Sequence, residues 1–173
     1  LAAFLLIAAD LIISHWPKSQ AAAAPFLACP ELVSVERTRQ GQDQIEDPDL
    51  FGLKALEKEP VGSATRDSLK QRASRRAPLE RLVGIYGGLG PEELRAKLER
   101  LLQVASQRLG AYEPASNFAD PRFMARYELN LINPTNWQER EVKREDGTVV
   151  RGREYVSPQE EADHLDALNA GAA

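Results

Sequence analysis

Residues 91–110 have the sequence PEELRAKLERLLQVASQRLG, in which apolar positions recur at steps of three and four residues. Such spacing places the apolar side chains along one side of an α-helix. The stripe consists of Leu94, Leu98, Leu101, Leu102, Ala105 and Leu109. We therefore predict a helix over residues 91–109 that is about 28 Å long and turns this leucine stripe toward the core.

Both ends of this helix are also marked in the sequence. Gly90 suits the N-cap, and Pro91 has the fixed φ angle of a first helical residue. Gly110 can take the left-handed conformation in which many helices end. Glu92 lies near the positive end of the helix dipole and Arg108 near its negative end, which stabilises both charges. The boundary signals therefore agree with the periodicity.

Further segments with helical spacing or helix-boundary residues lie on both sides of the long helix. We predict helices over residues 1–16, 19–27, 47–58, 78–86 and 121–132, and from residue 158 onward. Pro17 should end the first of these, because the residue before a proline avoids the helical region. Pro25 should bend or end the second. Gly87 and Gly88 should break the helix over 78–86 just before the long one begins.

The helix over 121–132 has the most complete set of signals. Asp120 is a favourable N-cap and Pro121 a favourable first residue, while Asn133 and Pro134 should stop the helix. Its buried face is expected to consist of Phe123, Met124, Tyr127 and Leu131.

Residues 30–44 give a much weaker pattern. Leu32, Val33 and Val35 are followed by residues 36–44, which include no large apolar side chain. We therefore predict a short turn of helix or strand and then an exposed loop.

The period changes from helical to alternating over residues 137–156, which predicts a β-hairpin centred on Asp146 and Gly147. A two-residue turn would set like charges opposite each other, Arg140 with Arg153 and Glu139 with Glu154, at a cost in stability. A three-residue turn over 145–147, with Gly147 left-handed, gives favourable pairs instead. Those pairs are Trp137 with Tyr155, Glu139 with Arg153, Glu141 with Arg151, and Val142 with Val150.

We prefer the second register. Neither face of the ribbon is apolar, so the hairpin should project from the body and rest only its Trp137 and Tyr155 end on it. Ser157, Pro158 and Glu160 then form a capping box for the last helix. That helix should bury Ala162, Leu165 and Leu168.

These elements predict a mainly α fold, a small bundle of about five to seven helices with one projecting antiparallel β-hairpin near the C-terminus. Within one domain we distinguish an apolar helical segment (1–28), an acidic connector with a short helix (29–62), a helical core (63–135), and the hairpin with its capped helix (136–173). The alanine- and arginine-rich composition is typical of a GC-rich bacterial genome. We expect the chain to be part of a larger bacterial protein or assembly.

The charges exclude one class of protein and leave one candidate surface. A net charge of −4 argues against a surface built throughout for nucleic acid. The middle of the chain is nevertheless basic, because residues 62–109 carry ten Lys and Arg against five Asp and Glu. The candidates for contact with an anion or a partner are Arg66, Lys70, Arg72, Arg75, Arg76 and Arg81. Acidic segments of the same chain are the alternative partners for them, and the absence of interleaved aromatic residues disfavours single-stranded nucleic acid.

No motif indicates catalysis, a cofactor or a metal. The glycines near residues 84–90 lack the lysine and hydroxyl residue of a phosphate-binding loop. Cys29 is the only cysteine, and we expect it to be a buried apolar residue. Glu161 and His164 share a helix face, for which a solvated salt bridge is the ordinary interpretation. Residues 1–14 are too short an apolar run to span a membrane, and we expect a cytoplasmic protein.

The leading functional hypothesis is a non-catalytic protein-protein interaction or scaffold module. Its possible contacts on the hairpin are Trp137, Arg151, Arg153 and Tyr155. One alternative is a module that contacts phosphate or nucleic acid through residues 66–81. Another is the non-catalytic portion of a larger enzyme.

Overall fold

The computed structural model describes residues 2–44, 76–143 and 147–171. In chain order the elements are α1 (Ala2–Ser14), α2 (Gln20–Leu27), α3 (Pro30–Gln44), α4 (Glu80–Leu89), α5 (Glu92–Leu109), α6 (Pro121–Ile132), β1 (Trp137–Lys143), β2 (Val149–Tyr155) and α7 (Gln159–Gly171). Within these ranges the chain is a small mainly α protein with one antiparallel hairpin, as predicted. The helix predicted over 47–58 lies outside the described residues.

Helix α6 is the centre of the bundle. It packs against α3, α4 and α5, and α5 also packs against α2. Asp120 caps α6 as predicted, accepting a hydrogen bond from the Arg122 backbone N–H at 2.9 Å. Phe123, Met124 and Leu131 are buried and Tyr127 is half-buried. The predicted apolar face of this helix is therefore the middle of the core.

Only part of the predicted leucine stripe of α5 is buried in that core. Leu98, Leu102 and Ala105 are buried, at steps of four and three residues. Leu101 is 37% exposed, so its predicted place in the core is wrong. It lies beside the buried line rather than on it, since neighbouring helical residues are about 100° apart around the axis.

The ends of α5 differ from the prediction by small amounts. The helix begins at Glu92, so that Pro91 occupies the cap position given to Gly90. Gly110 has the predicted positive φ of 81°, but its ψ of −169° is not that of a left-handed helical residue. Its backbone N–H still closes the last turn, donating to the Ser106 carbonyl at 3.0 Å.

The prediction that Gly87 and Gly88 break the helix before α5 is wrong. Helix α4 continues through both to Leu89. A Cβ atom on Gly87 would lie 2.8 Å from the Ile132 Cα and 2.9 Å from the Leu131 carbonyl carbon. Gly87 is therefore needed for close packing of α4 against the end of α6, Gly88 faces the Trp137 ring, and a break in the helix is not their role.

The exposed loop predicted for residues 36–44 is also wrong, because α3 runs unbroken from Pro30 to Gln44. Glu36 and Gln40, one turn apart, are buried on its inner side. Arg39 donates to Glu36 at 2.8 Å, and the Gln40 amide donates to the Arg76 carbonyl at 2.9 Å. Between residues 36 and 41 the buried side chains of this helix are polar and hydrogen-bonded, so no apolar period marks this part of it in the sequence.

Of the two prolines predicted to interrupt helices, Pro17 lies beyond the end of α1 and Pro25 lies inside α2. Helix α1 ends at Ser14, just before the predicted stop at Pro17. Helix α2 continues past Pro25 to Leu27, so this proline does not end it.

The hairpin has the predicted three-residue-turn register. Trp137 pairs with Tyr155 and Glu139 with Arg153. Gly147 has a φ of 84°, as that turn requires, while turn residues 144–146 lie outside the described residues. Strand β2 is exposed along its length except for the half-buried Tyr155 at its end. The hairpin therefore projects from the body and rests on it at its base.

Helix α7 closes the hairpin base. Its one buried residue is Glu161, whereas Ala162, Leu165 and Leu168, predicted to be buried, are half-buried. The Tyr155 hydroxyl donates to Glu161 at 2.9 Å, and the Asn130 amide donates to the same carboxylate at 2.8 Å. This carboxylate joins α6, α7 and the hairpin.

Candidate functional site

A cleft lies where α4, α6 and the hairpin base meet, and we call it the hairpin-base cleft. Its volume is about 480 Å³. It is lined by Arg37, Pro78, Glu80, Arg81, Gly84, Ile85, Leu89, Tyr127, Leu131, Trp137 and Arg153. Most of the surface of the cleft is apolar. Three arginines, one each on α3, α4 and β2, also line it.

Trp137 forms one wall of the cleft, and the glycines of α4 determine where its ring lies. Cβ atoms added at Gly84 and Gly88 would lie 3.4 Å and 3.0 Å from the indole ring. The indole N–H donates to the Leu131 carbonyl at 2.8 Å. Because the α4 glycines contact the ring and the Leu131 carbonyl holds its N–H, this wall is formed before any ligand binds.

A cluster of aromatic rings packs at the hairpin base and stabilises it. The Trp137 and Tyr155 ring centroids are 5.6 Å apart, and the Tyr155 and Tyr127 centroids are 6.2 Å apart. Edge-to-face and tilted contacts of this kind add to the free energy of burying the rings. Burial raises the pKa of Tyr127 to about 12, so this hydroxyl remains neutral at physiological pH.

The three arginines of the cleft differ in how well they are neutralised. Arg37 donates to Glu80 and lies 5.0 Å from the Phe118 ring centroid. Arg153 donates at 2.9 Å to the neutral carbonyl of Gly88. Arg81 is exposed, and its guanidinium has no hydrogen bond or ion pair with any residue that the structure describes.

Glu80 is the one carboxylate among the described residues of the cleft lining. Burial raises its pKa, and the neighbouring Arg37 guanidinium opposes that shift. One of its oxygens has no hydrogen-bond partner. Within the lining, the remaining positive charge therefore belongs to Arg81 and Arg153.

Comparison of the chain with models of protein families, with curated proteins and with solved structures finds no match.

The residues proposed from sequence are brought together only in part. Trp137, Arg153 and Arg81 all line the hairpin-base cleft. Arg151 lies further along the exposed ribbon and pairs with Glu141 at 2.7 Å. Tyr155 is packed into the hairpin base, and the Arg76 carbonyl accepts a hydrogen bond from Gln40. The other candidates lie outside the described residues: Arg66, Lys70, Arg72 and Arg75.

The salt bridge expected between Glu161 and His164 is not formed. Glu161 is engaged by Tyr155 and Asn130, as described above. The His164 Nε2 lies 2.7 Å from the Ser116 carbonyl oxygen, and its ring contacts both Tyr112 and Phe123. The histidine is thus part of the aromatic packing under α7.

Three smaller observations concern metal binding, Cys29 and membranes. Among the described residues no group of histidine, cysteine and carboxylate side chains has the arrangement of a metal site. Cys29 is half-buried rather than buried as predicted, and burial raises the pKa of its thiol. Within the described ranges, no helix combines the length and apolar character needed to cross a bilayer.

Sequence reasoning missed Glu128, the most unusual charged group in the fold. It is fully buried on α6, and neither carboxyl oxygen has a hydrogen-bond partner. Burial, together with the nearby carboxylates of Glu80 and Glu31, raises its pKa well above the ordinary value. Its spacing of four residues from Met124 and three from Leu131 places it on the predicted apolar face, a signal that was available in the sequence.

Proposed function

We propose that this chain is a non-catalytic protein-protein interaction module and that the hairpin-base cleft is its contact surface. The observation that carries the proposal is Leu89, which lines the cleft and is 75% exposed. An exposed leucine beside an apolar cleft and an unpaired guanidinium has the composition of an interface core with a charged rim. Single exposed apolar residues are common, but this one lies at a formed concave surface.

The shape of the cleft supports the same proposal. Its Trp137 wall is fixed by glycine contacts and by a hydrogen bond to backbone, so little side-chain order has to be gained on binding. Preformed walls of this kind lower the entropic cost of association.

The chemistry of the lining supports a non-catalytic role. Its described residues include no histidine, cysteine, serine or lysine, the usual nucleophiles and general bases near neutral pH. Glu80 holds Arg37, and Tyr127 keeps its proton. The groups that remain are suited to binding.

The test is a selection of peptides from an unbiased random display library on the whole chain. Selected peptides should bind the wild type and lose affinity for Leu89→Asp, which places a carboxylate at the cleft. The matched control is Val104→Asp on α5, because Val104 is 65% exposed and does not line the cleft. Peptides that bind both variants and the wild type equally would exclude the cleft as the contact surface.

A competing proposal remains for the basic segment, since Arg81 is exposed and unpaired in the described structure. Contact with phosphate or nucleic acid predicts oligonucleotide binding that weakens steeply with salt. It also predicts loss of binding when Arg72, Arg75 and Arg76 are replaced by alanine. Binding that ignores both changes would exclude it.

A further inference from the structure

We infer that the partner of the hairpin-base cleft is an acidic peptide segment that places one apolar side chain in the cleft and pairs its carboxylates with Arg81 and Arg153. This inference rests on the proposed function and adds the chemistry of the partner. Its basis is the distribution of charge around the apolar floor.

Two of the three cleft arginines are not neutralised by any carboxylate among the described residues. Glu80 already neutralises Arg37. Arg153 lies opposite Glu139 in the hairpin register, but its guanidinium donates to the Gly88 carbonyl and forms no ion pair with any described residue. Arg81 and Arg153 are therefore two guanidinium groups of the cleft lining that pair with no carboxylate among the described residues. Guanidinium groups bind carboxylates through paired, charge-assisted hydrogen bonds.

The charges of the hairpin restrict the direction from which an acidic segment can approach. On the exposed ribbon Arg140 pairs with Glu154, and Arg151 pairs with Glu141. Those arginines are already neutralised, and the adjacent carboxylates repel an acidic chain. Carboxylates of a partner are therefore directed to the α4 side of the hairpin, where Arg81 and Arg153 lie.

The apolar part of the cleft requires an apolar side chain between the carboxylates of the partner. Ile85, Leu131 and Trp137 line the cleft, and Leu89 is at the surface beside them. A purely acidic segment would leave this apolar surface exposed to water, whereas one leucine or phenylalanine side chain of the partner would bury it. Apolar contact at the centre with charge pairs at the rim is the common division of roles in interfaces.

The experiment is a fluorescence anisotropy titration with a fluorescein-labelled peptide that has one phenylalanine flanked by aspartate and glutamate. The first control peptide replaces the acidic residues with asparagine and glutamine, and the second replaces phenylalanine with serine. The protein variants are Arg81→Glu and Arg153→Gln. The matched control is Arg100→Glu, a charge reversal at an exposed arginine of α5 that does not line the cleft.

The inference predicts that Arg81→Glu raises the Kd of the acidic peptide at least about tenfold and that Arg100→Glu changes it by less than about threefold. Both control peptides should bind more weakly, and added salt should weaken the acidic peptide most. Thermal unfolding of each variant checks that it is folded. If Arg153→Gln loosens the hairpin, Arg81→Glu alone decides the outcome.

Three results would overturn the inference. Equal loss of affinity in Arg81→Glu and Arg100→Glu would show attraction to net charge alone. Equal affinity for the acidic and the amide peptides would show a cleft that does not select carboxylates. Displacement of the acidic peptide by a single-stranded oligonucleotide that binds more tightly would assign the rim to phosphate.

The display selection separates this failure from failure of the proposed function. Neutral or basic peptides that still require Leu89 would contradict the acidic partner and leave the cleft as a contact surface. Peptides indifferent to Leu89→Asp would contradict both.

Discussion

Replacement of Gly87 by alanine tests the packing that forms the cleft. Alanine is the better helix former by about 1 kcal/mol, so the substitution would stabilise an unobstructed helix. Here the added Cβ would meet the backbone of α6, 2.8 Å from the Ile132 Cα and 2.9 Å from the Leu131 carbonyl carbon. Backbone atoms cannot rotate aside as a side chain does, so α4 and α6 must move apart.

The two effects have opposite signs, and the packing effect is the larger. Overpacking of a core costs about 1–3 kcal/mol, and a backbone obstruction belongs at the upper end of that range. After subtraction of the gain in helix propensity, we expect Gly87→Ala to lower the free energy of unfolding by about 2 kcal/mol. For a chain of this size that corresponds to a fall in Tm of about 4–8 °C.

The matched control is Gly41→Ala, which makes the same chemical change inside α3 with nothing within 4 Å of the new Cβ. It should raise stability by about 0.5–1 kcal/mol. Urea unfolding followed by circular dichroism measures both variants against the wild type. Two changes of the same sign, or a Gly87→Ala protein as stable as Gly41→Ala, would refute the packing assigned to α4.

Two further predictions concern carboxyl groups. Glu128 has a raised pKa in the folded state, so the folded protein holds its proton more tightly than the unfolded chain does. The contribution of Glu128 to stability should therefore be fully present below a pH of about 4.5 and fall by up to about 1.4 kcal/mol per pH unit as the pH rises from there toward its folded-state pKa. Glu128→Gln should remove this part of the slope in urea unfolding measured across pH, and an unchanged slope would contradict the assignment. Asp120 has the opposite behaviour, because hydrogen bonds from the Arg122 side chain lower its pKa to about 2. Asp120→Ala should cost about 1 kcal/mol at neutral pH, and its difference from the wild type should shrink as the pH falls from about 4 to about 2. A difference that persists at the lowest pH would mean that the cap does not depend on ionisation.

The elements that were predicted from sequence depend on interactions between residues close in the chain. Asp120 bonds to an amide two residues away, and the hairpin register follows from charge pairs across one turn. Such signals are complete within a short window of sequence. The same holds for the line of Leu98, Leu102 and Ala105.

The elements that were missed depend on partners far away in the chain. Gln40 is buried in α3 because it reaches the Arg76 carbonyl, 36 residues on. Gly87 and Gly88 look like a helix break unless the backbone of α6 and the Trp137 ring are already in place. No local pattern contains that information.

The cleft shows the same limit. Trp137, Arg153 and Arg81 were each selected from sequence for their own chemistry. Their assembly with Arg37 into one surface requires the packing of α3, α4, α6 and the hairpin. Which arginines of the cleft remain without a described carboxylate partner depends on the contacts made in the fold, and no sequence pattern shows those contacts.

The most direct test of the central claim, that a preformed cleft at the hairpin base is the contact surface, is NMR of the indole N–H groups of Trp16 and Trp137. Trp16→Phe assigns the two resonances. Because its N–H donates to the Leu131 carbonyl at 2.8 Å, Trp137 should exchange slowly with solvent, and its resonance should shift more than that of Trp16 when a display-selected peptide is added. A Trp137 indole that exchanges as fast as free tryptophan, or whose resonance does not move with saturating peptide, would contradict the account.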